Sequence, residues 1–303
     1  MFNLVKKLPS PLKGILNLVF LCLHTLFWCT PMYIVFFFKI LSPRPAWRAF
    51  FDKPLSEIAN GWIKSNNFMM QWPGELQWDL PDFSHLKFND WYFIICNHQS
   101  WTDILTLHKI FLKKTPFIRF FIKKELCWLP VLNLAWWVYD FPIMQRHSQR
   151  ALRKNPALRL NDLETTKKAC GIYQYFPVTI LNFIEGTRFT PEKHQAQKSP
   201  YQHLLVPKSA GFAFAIQCMD KKIHHVLDVT IIYPEGKKTF WDLMCGRIEK
   251  IVVKLTEREI PETFLENHYS ENALTRKAFK DWIQEIWQEK DKLIAQTLKK
   301  EPL

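Results

Sequence analysis

The chain has 303 residues, of which 48% are hydrophobic and 15% aromatic, with Phe at 25 positions, and it carries a formal net charge of +13 at pH 7. The length suits one large catalytic domain, and the apolar load exceeds what a soluble core needs, which points to lipid contact. Eight glycines with no G-x-G-x-x-G or Walker sequence argue against a glycine-rich nucleotide cradle, and seven scattered cysteines without a C-x-x-C pair argue against a disulfide framework or zinc site and for reduced thiols.

A basic surface of this kind attracts polyanions, whether nucleic acid, anionic headgroups or a phosphorylated substrate. The first predicted element is apolar. From Gly14 to Phe38 no formally charged residue occurs, and as a helix this run reaches roughly 35 to 40 Å, enough to cross a hydrocarbon core. The run is too long for a signal peptide and no small-x-small cleavage site follows it. Lys6, Lys7 and Lys13 precede it while Lys39, Arg44 and Arg48 follow, so flanking charge does not orient it. Pro31 is expected to interrupt the helix, giving either one span or two half-helices folded back into the cytoplasmic leaflet. His24 within the run is read as structural. The expected division is a membrane segment over 1–48 and a catalytic domain over 49–303.

After a connector, "SPRPAWRAFFDKP", β-like and helical runs alternate. Strands are predicted at Gly74–Leu80, Trp91–Cys96, Ile118–Glu125, Phe141–Gln145, Val178–Ile184, His225–Tyr233 and Ile248–Leu255. Helices are predicted at Asp103–Phe111, Leu129–Tyr139, Leu158–Tyr175, Ser209–Met219 and Asn272–Leu298. The last places Leu274, Ala278, Trp282, Ile286 and Leu293 near one face, expected to pack on the domain. "RHSQRALRKNPALR" reads as a basic loop.

"NHQSWTD" follows the second strand. In a continuous helix His98 and Asp103 would point about 140° apart, so pairing needs a strand-to-helix junction. There the carboxylate reaches one imidazole nitrogen and leaves the other free to accept a proton. The competing reading makes Ser100 and Asp103 part of a helix cap. A metal site lacks further ligands at recognisable spacing, and Cys96 reads as a buried strand residue. In "FIEGTRFT" an apolar run ends in Glu185, Gly186, Thr187 and Arg188, at the carboxyl end of a strand where α/β sheets bind ligands, and Arg188 suits bidentate contact with phosphate. Arg188 could instead pair with Glu185 or Glu192. Pro207 and Lys208 precede a helix opening at Ser209, an anion-binding position. Arg146 in "FPIMQR" is another cation at a strand end.

In this order the elements resemble the lysophospholipid acyltransferase family, best known for its 1-acylglycerol-3-phosphate acyltransferases. "NHQSWTD" matches the family's Asn-His-x4-Asp motif. "FIEGTR" is similar to its Phe-Pro-Glu-Gly-Thr-Arg block, with Ile184 where Pro is usual. "LLVPKSAGF" looks like the fourth block, and "FPIMQR" like a loose second block lacking its glycine. The resemblance spans about Gly74 to Tyr233, and the apolar N-terminal segment and chain length are similar to a bacterial inner-membrane branch.

The resemblance implies an α/β fold, a mixed sheet flanked by helices, glycerol-phosphate acyltransferase-like, with an N-terminal membrane helix or helical hairpin. It implies a membrane-bound acyltransferase on the cytoplasmic face of the inner membrane. His98, oriented by Asp103, would deprotonate the hydroxyl of a lysophospholipid, foremost 1-acyl-sn-glycerol-3-phosphate giving phosphatidic acid. Acyl-CoA serves as co-substrate, with no cofactor or metal; acyl carrier protein as donor, or another lysolipid as acceptor, keeps the same chemistry. Glu185, Gly186, Thr187, Arg188, Arg146, Pro207 and Lys208 would bind substrate. The bilayer is the expected partner and nucleic acid is not. The rival reading is a basic membrane-tethered binding protein without catalysis.

Overall fold

A computed structural model describes residues 7–41, 50–123, 127–128, 132–144, 170–219, 222–223, 225–236, 238–266 and 272–300. Its first element is a single helix, α1 (Ser10–Ile40), 31 residues long. Pro31 lies inside it without the interruption expected of it, so of the two arrangements left open the single helix is the one formed. Proline removes one N–H bond, and the remaining ladder on either side carries the helix through.

The antiparallel partner of α1 is α2 (Asp52–Gln71), whose first residues fall in the stretch expected to be a connector. Asn17 donates to the carbonyls of Met69 and Met244, Trp62 to the hydroxyl of Thr25, and Trp28 to that of Ser65. The two helices meet at Gly61, which sits under the Trp28 ring. Small residues and side-chain hydrogen bonds of this kind join helices when apolar burial alone gives no preference.

Six strands follow in one sheet: β1 (Gln77–Asp79), β2 (Tyr92–Cys96), β3 (Ile118–Phe120), β6 (Thr179–Asn182), β7 (His225–Ile232) and β8 (Lys250–Glu259). β4 (Ile122–Lys123) and β5 (Ile143–Met144) form a separate parallel pair. The six lie in the order β1-β8-β7-β2-β6-β3. β2 is parallel to β6 and β7, β3 is parallel to β6, and β8 reverses against β7. The sheet is therefore mixed. The β2 sequence "YFIIC" is buried throughout because strands flank it and helices cover both faces.

Alternation along the strands assigns the two faces. Phe93, Ile95, Ile180 and Val226 pack with α6 (Ser209–Cys218), α8 (Glu262–Glu266) and α9 (Ala273–Lys300). Ile94, Cys96, Leu227, Val229 and Ile231 pack with α2, α3 (Thr102–Phe111) and α7 (Phe240–Met244). A third cluster joins the second half of α1 to α2 and α4 (Leu132–Val138) through Met32, Leu55, Ile63 and Trp136. A short helix, α5 (Pro191–Gln197), stands between β6 and α6.

α9 packs on the domain as expected, through a face that overlaps the expected one at Ile286 and, in part, at Trp282. Phe279, Ile283, Ile286, Trp287, Lys290 and Ile294 are buried while Leu274 is exposed. The stripe contains a lysine because the Lys290 ammonium reaches Asp228 Oδ1 at 2.5 Å and donates to the carbonyl of Val229 and the hydroxyl of Thr230. A buried charge is tolerated when it is paired and hydrogen-bonded in this way. The basic run at 146–159 and most of the helix predicted at Leu158–Tyr175 lie outside the described residues.

Candidate active site

The junction after β2 is built from polar side chains that replace strand pairing. The Asn97 amide donates to the carbonyl of Ile231 and accepts from its N–H, both at 2.9 Å, extending the β2–β7 ladder by one step. His98 then occupies the turn, and α3 opens at Thr102. This puts Asp103 in the first helical turn, fully buried.

Asp103 Oδ2 lies 2.8 Å from His98 Nδ1 and accepts the main-chain N–H of Gln99 at 2.6 Å and of Ser100 at 2.9 Å. Its other oxygen accepts the Tyr233 hydroxyl at 2.6 Å. A carboxylate offers only acceptors, so the arrangement places the imidazole proton on Nδ1 and leaves Nε2 as an acceptor. The oxygen that orients His98 also ties down the loop entering α3, whose N-cap, Trp101, makes no side-chain capping bond.

The later blocks converge on this loop. The His98 ring stacks on Phe183 with centroids 3.9 Å apart, and its carbonyl accepts the N–H of Phe189 at 2.7 Å. The carbonyl of Ile184 accepts the Lys208 N–H at 2.7 Å, which ties the fourth block to the third. Pro207 and Lys208 thus stand at the start of α6, with the Lys208 side chain exposed.

"EGTR" forms a turn closed by the Gly186 N–H on the carbonyl of Phe183, with Gly186 at φ 72°, a conformation glycine adopts without strain. The turn sends its side chains in opposite directions. Glu185 points inward and is 1% exposed. Burial pushes its carboxyl well above the usual carboxylate range, and the main-chain amides of Leu205 and His98, short of full hydrogen-bond geometry, oppose this only in part. Arg188 points outward, its guanidinium 5.2 Å from the centre of the Trp101 ring. Lys193 of α5 donates to the Thr187 hydroxyl at 2.7 Å and to the Arg188 carbonyl, holding the turn from behind.

His98, Trp101, Gly186, Thr187 and Arg188 line a cleft of about 280 Å³ whose far wall is Phe120, Phe121 and Ile122. One end is cationic and the other apolar. Glu185 and Lys208 are not among its lining residues, and Arg146 lies outside the described residues. Cys96 is buried, and burial pushes its thiol well up, as for a structural cysteine. Sequence reasoning assigned no part to Tyr233, Asn97, Phe183, Trp101 or Lys193. Asn97 and Trp101 lie inside "NHQSWTD" and Phe183 opens "FIEGTR", whereas Tyr233 and Lys193 lie outside both motifs.

The arrangement can take a proton at Nε2 from a group in a cleft that also presents the Arg188 guanidinium and the rings of Phe120 and Phe121. Residues 84–234 match the Acyltransferase family. The 2-acyl-1-lysophosphatidylinositol acyltransferase of Saccharomyces cerevisiae is 25% identical over 255 residues, covering 70% of this chain and 62% of that protein. The 1-acyl-sn-glycerol-3-phosphate acyltransferase delta of Mus musculus is 25% identical over 183 residues, 56% of this chain and 42% of that one. This chain therefore spans less than two thirds of the length of either relative. The crystal structure of the 1-acyl-sn-glycerophosphate (LPA) acyltransferase PlsC from Thermotoga maritima superposes with a TM-score of 0.43 at 18% identity, over 90% of this chain and 97% of that chain.

Proposed function

We propose that this chain, which belongs to the acyltransferase family, moves a fatty acyl group from an acyl thioester to the free hydroxyl of a lysophospholipid, with 1-acyl-sn-glycerol-3-phosphate as acceptor and phosphatidic acid as product. The observation that carries the reading is the 2.8 Å contact between His98 Nδ1 and Asp103 in a cleft that also presents Arg188.

His98 Nε2 takes the proton of the acceptor hydroxyl as its oxygen attacks the thioester carbonyl. Asp103 holds the ring and balances the charge that the imidazole acquires. Collapse of the tetrahedral intermediate breaks the carbon–sulfur bond, and the proton on Nε2 goes to the departing thiolate. A positioned base of this kind supplies about 10²–10⁴ in rate, and holding both substrates in line supplies much of the remainder. Arg188, with the Gly186–Thr187 turn, holds the phosphate end of the acceptor, and Lys208 and Arg146 add positive charge toward it or toward the donor. Glu185 belongs to the same turn, with its carboxyl buried behind it and outside the lining of the cleft.

Acyl-CoA is the donor in this reading and acyl carrier protein its variant. Both substrate and product are lipids, and α1 presents Leu23, Phe27, Ile34, Phe37 and Phe38 outward, with Phe27 66% exposed. A surface of that character belongs in a bilayer. We place the protein at the inner membrane with its cleft on the cytoplasmic side, where acyl thioesters are found.

The test is thiol release from palmitoyl- or oleoyl-CoA by the detergent-purified chain, with and without lysophosphatidic acid or lysophosphatidylinositol. Release that needs both the acceptor and His98 supports the reading. Turnover with acyl carrier protein alone changes the donor, and no release with any donor or lysolipid sinks it.

A further inference from the structure

The two oxygens of Asp103 are treated unequally. Oδ2 takes three donors from its own loop, while Oδ1 takes one, the hydroxyl of Tyr233, 130 residues away in sequence. Tyr233 follows the last residue of β7 and shares the strand face of Leu227, Val229 and Ile231, the face that α3 covers. Its height relative to the loop is fixed by Asn97, which is bonded twice to Ile231 two residues earlier. Both partners are closed to solvent, with Tyr233 3% exposed and Asp103 not exposed at all, so water does not replace this bond. Tyr233 is not among the residues lining the cleft.

We propose that Tyr233 is a positioning residue for the transfer reaction: its hydroxyl fixes Asp103 and draws charge onto Oδ1, and so sets the pH at which His98 becomes available as a base. The inference rests on the acyl-transfer reading above. Burial, reinforced by the neighbouring Asp103 charge, pushes the phenol well above its ordinary range, so it donates throughout the working pH range. A donor on a carboxylate disperses its charge. Without it, more of that charge falls on Oδ2, the oxygen that faces Nδ1, and the imidazolium is held more tightly.

The other titratable and charged groups around the pair do not change with that bond. Burial pushes the Cys96 thiol on β2 and the Glu185 carboxyl after β6 well above their ordinary ranges. Lys290 of α9 is paired with Asp228 of β7 at 2.5 Å, and Arg188 is permanently charged at the cleft. Asp103 is the group whose surroundings Tyr233→Phe alters.

The experiment is the pH profile of kcat/KM for full-length Tyr233→Phe in detergent, with palmitoyl-CoA and lysophosphatidic acid, beside the wild type, His98→Ala, Asp103→Asn and the double variant Asp103→Asn/Tyr233→Phe. The acid limb is expected to move up by about one pH unit, so that the variant is about tenfold slower on that limb and approaches the wild type above it. KM for both substrates stays within about twofold, because the side chain does not line the cleft. In the Asp103→Asn background the second substitution is expected to add little, since the charge it acts on is gone.

A uniform loss at all pH values, a raised KM, an additive double variant or a Tyr233→Phe chain that no longer melts as a folded protein each overturns the inference. His98→Ala reports on the underlying reading: full activity there removes acyl transfer by this base, whereas an unshifted limb with His98→Ala inactive removes only the part given to Tyr233.

Discussion

One oxygen of Asp103 holds His98 Nδ1 at 2.8 Å and the N–H groups of Gln99 and Ser100 at 2.6 and 2.9 Å, so the carboxylate that orients the imidazole also holds the loop that leads into α3. The two residues should then respond differently to removal. His98 sits in a turn at the cleft, and His98→Ala should lower transfer by about 10²–10⁴ while stability falls by about 1 kcal/mol, for the lost ring contact and hydrogen bond. Asp103→Ala strips four donors of their acceptor, and with each buried orphan costing about 1–3 kcal/mol the fold should lose about 3 kcal/mol or more. Thiol release and thermal melting of the two variants check this; equal destabilisation would mean that His98 is part of the packing.

Arg188 and Trp101 form the cationic end of the cleft. Arg188→Ala should raise KM for a phosphate-bearing acceptor by about tenfold or more and leave kcat less affected. Trp101→Ala should act in the same direction more weakly, and the double variant should fall short of the product of the two because the ring works by holding the guanidinium. Steady-state kinetics at varied lysophosphatidic acid decide; an unchanged KM in Arg188→Ala places the phosphate elsewhere.

His108 of α3 is buried beside Phe117 and Trp62, and neither ring nitrogen has a hydrogen-bond partner among the described residues. Burial lowers its pKa from 6.5 to about 4. The unfolded chain therefore takes up a proton that the folded chain refuses. The stabilisation is whole above pH 6.5 and is lost as pH falls toward about 4, by roughly 2 kcal/mol between pH 7 and pH 5 from this group. Urea unfolding at the two pH values should show that loss, and His108→Phe should show correspondingly less. If both lose the same amount, the acid sensitivity belongs to other groups.

Gly61 is where α1 meets α2: a Cβ there would lie 2.1 Å from the Trp28 ring, which is anchored by its hydrogen bond to Ser65. Gly61→Leu should separate the helices and cost about 1–3 kcal/mol. Ser65→Ala should be nearly neutral by comparison. Melting in detergent measures both, and a Gly61→Leu chain as stable as the wild type would show that α1 is free to shift on α2.

The alternating strands and helices, and the turn that carries His98, were legible because they rest on local rules: buried runs between strands, a polar break, a helix opening. The helix α2 was missed for a physical reason. Its buried face includes Ser56, Asn60 and Asn66 beside Leu55, Ala59 and Ile63, so polar residues interrupt the apolar period. The buried face of α9 was legible only in part, at Ile286 and Trp282, because Lys290 reads as a solvent residue until Asp228, on a strand, supplies its partner. Pro31 was expected to interrupt a helix that runs unbroken from Ser10 to Ile40.

By itself the sequence determined the spacing of His98 and Asp103: five positions let the two meet once a strand-to-helix junction lies between them, because chain geometry over so short a span leaves few alternatives. Only the tertiary structure decided that Tyr233 completes Asp103, that Glu185 turns inward while Arg188 turns to the cleft, and that Phe183 lies beneath the imidazole. Those outcomes depend on which strands lie side by side and on how much water each group loses, and desolvation is a property of the whole packed sheet that no short stretch of chain carries.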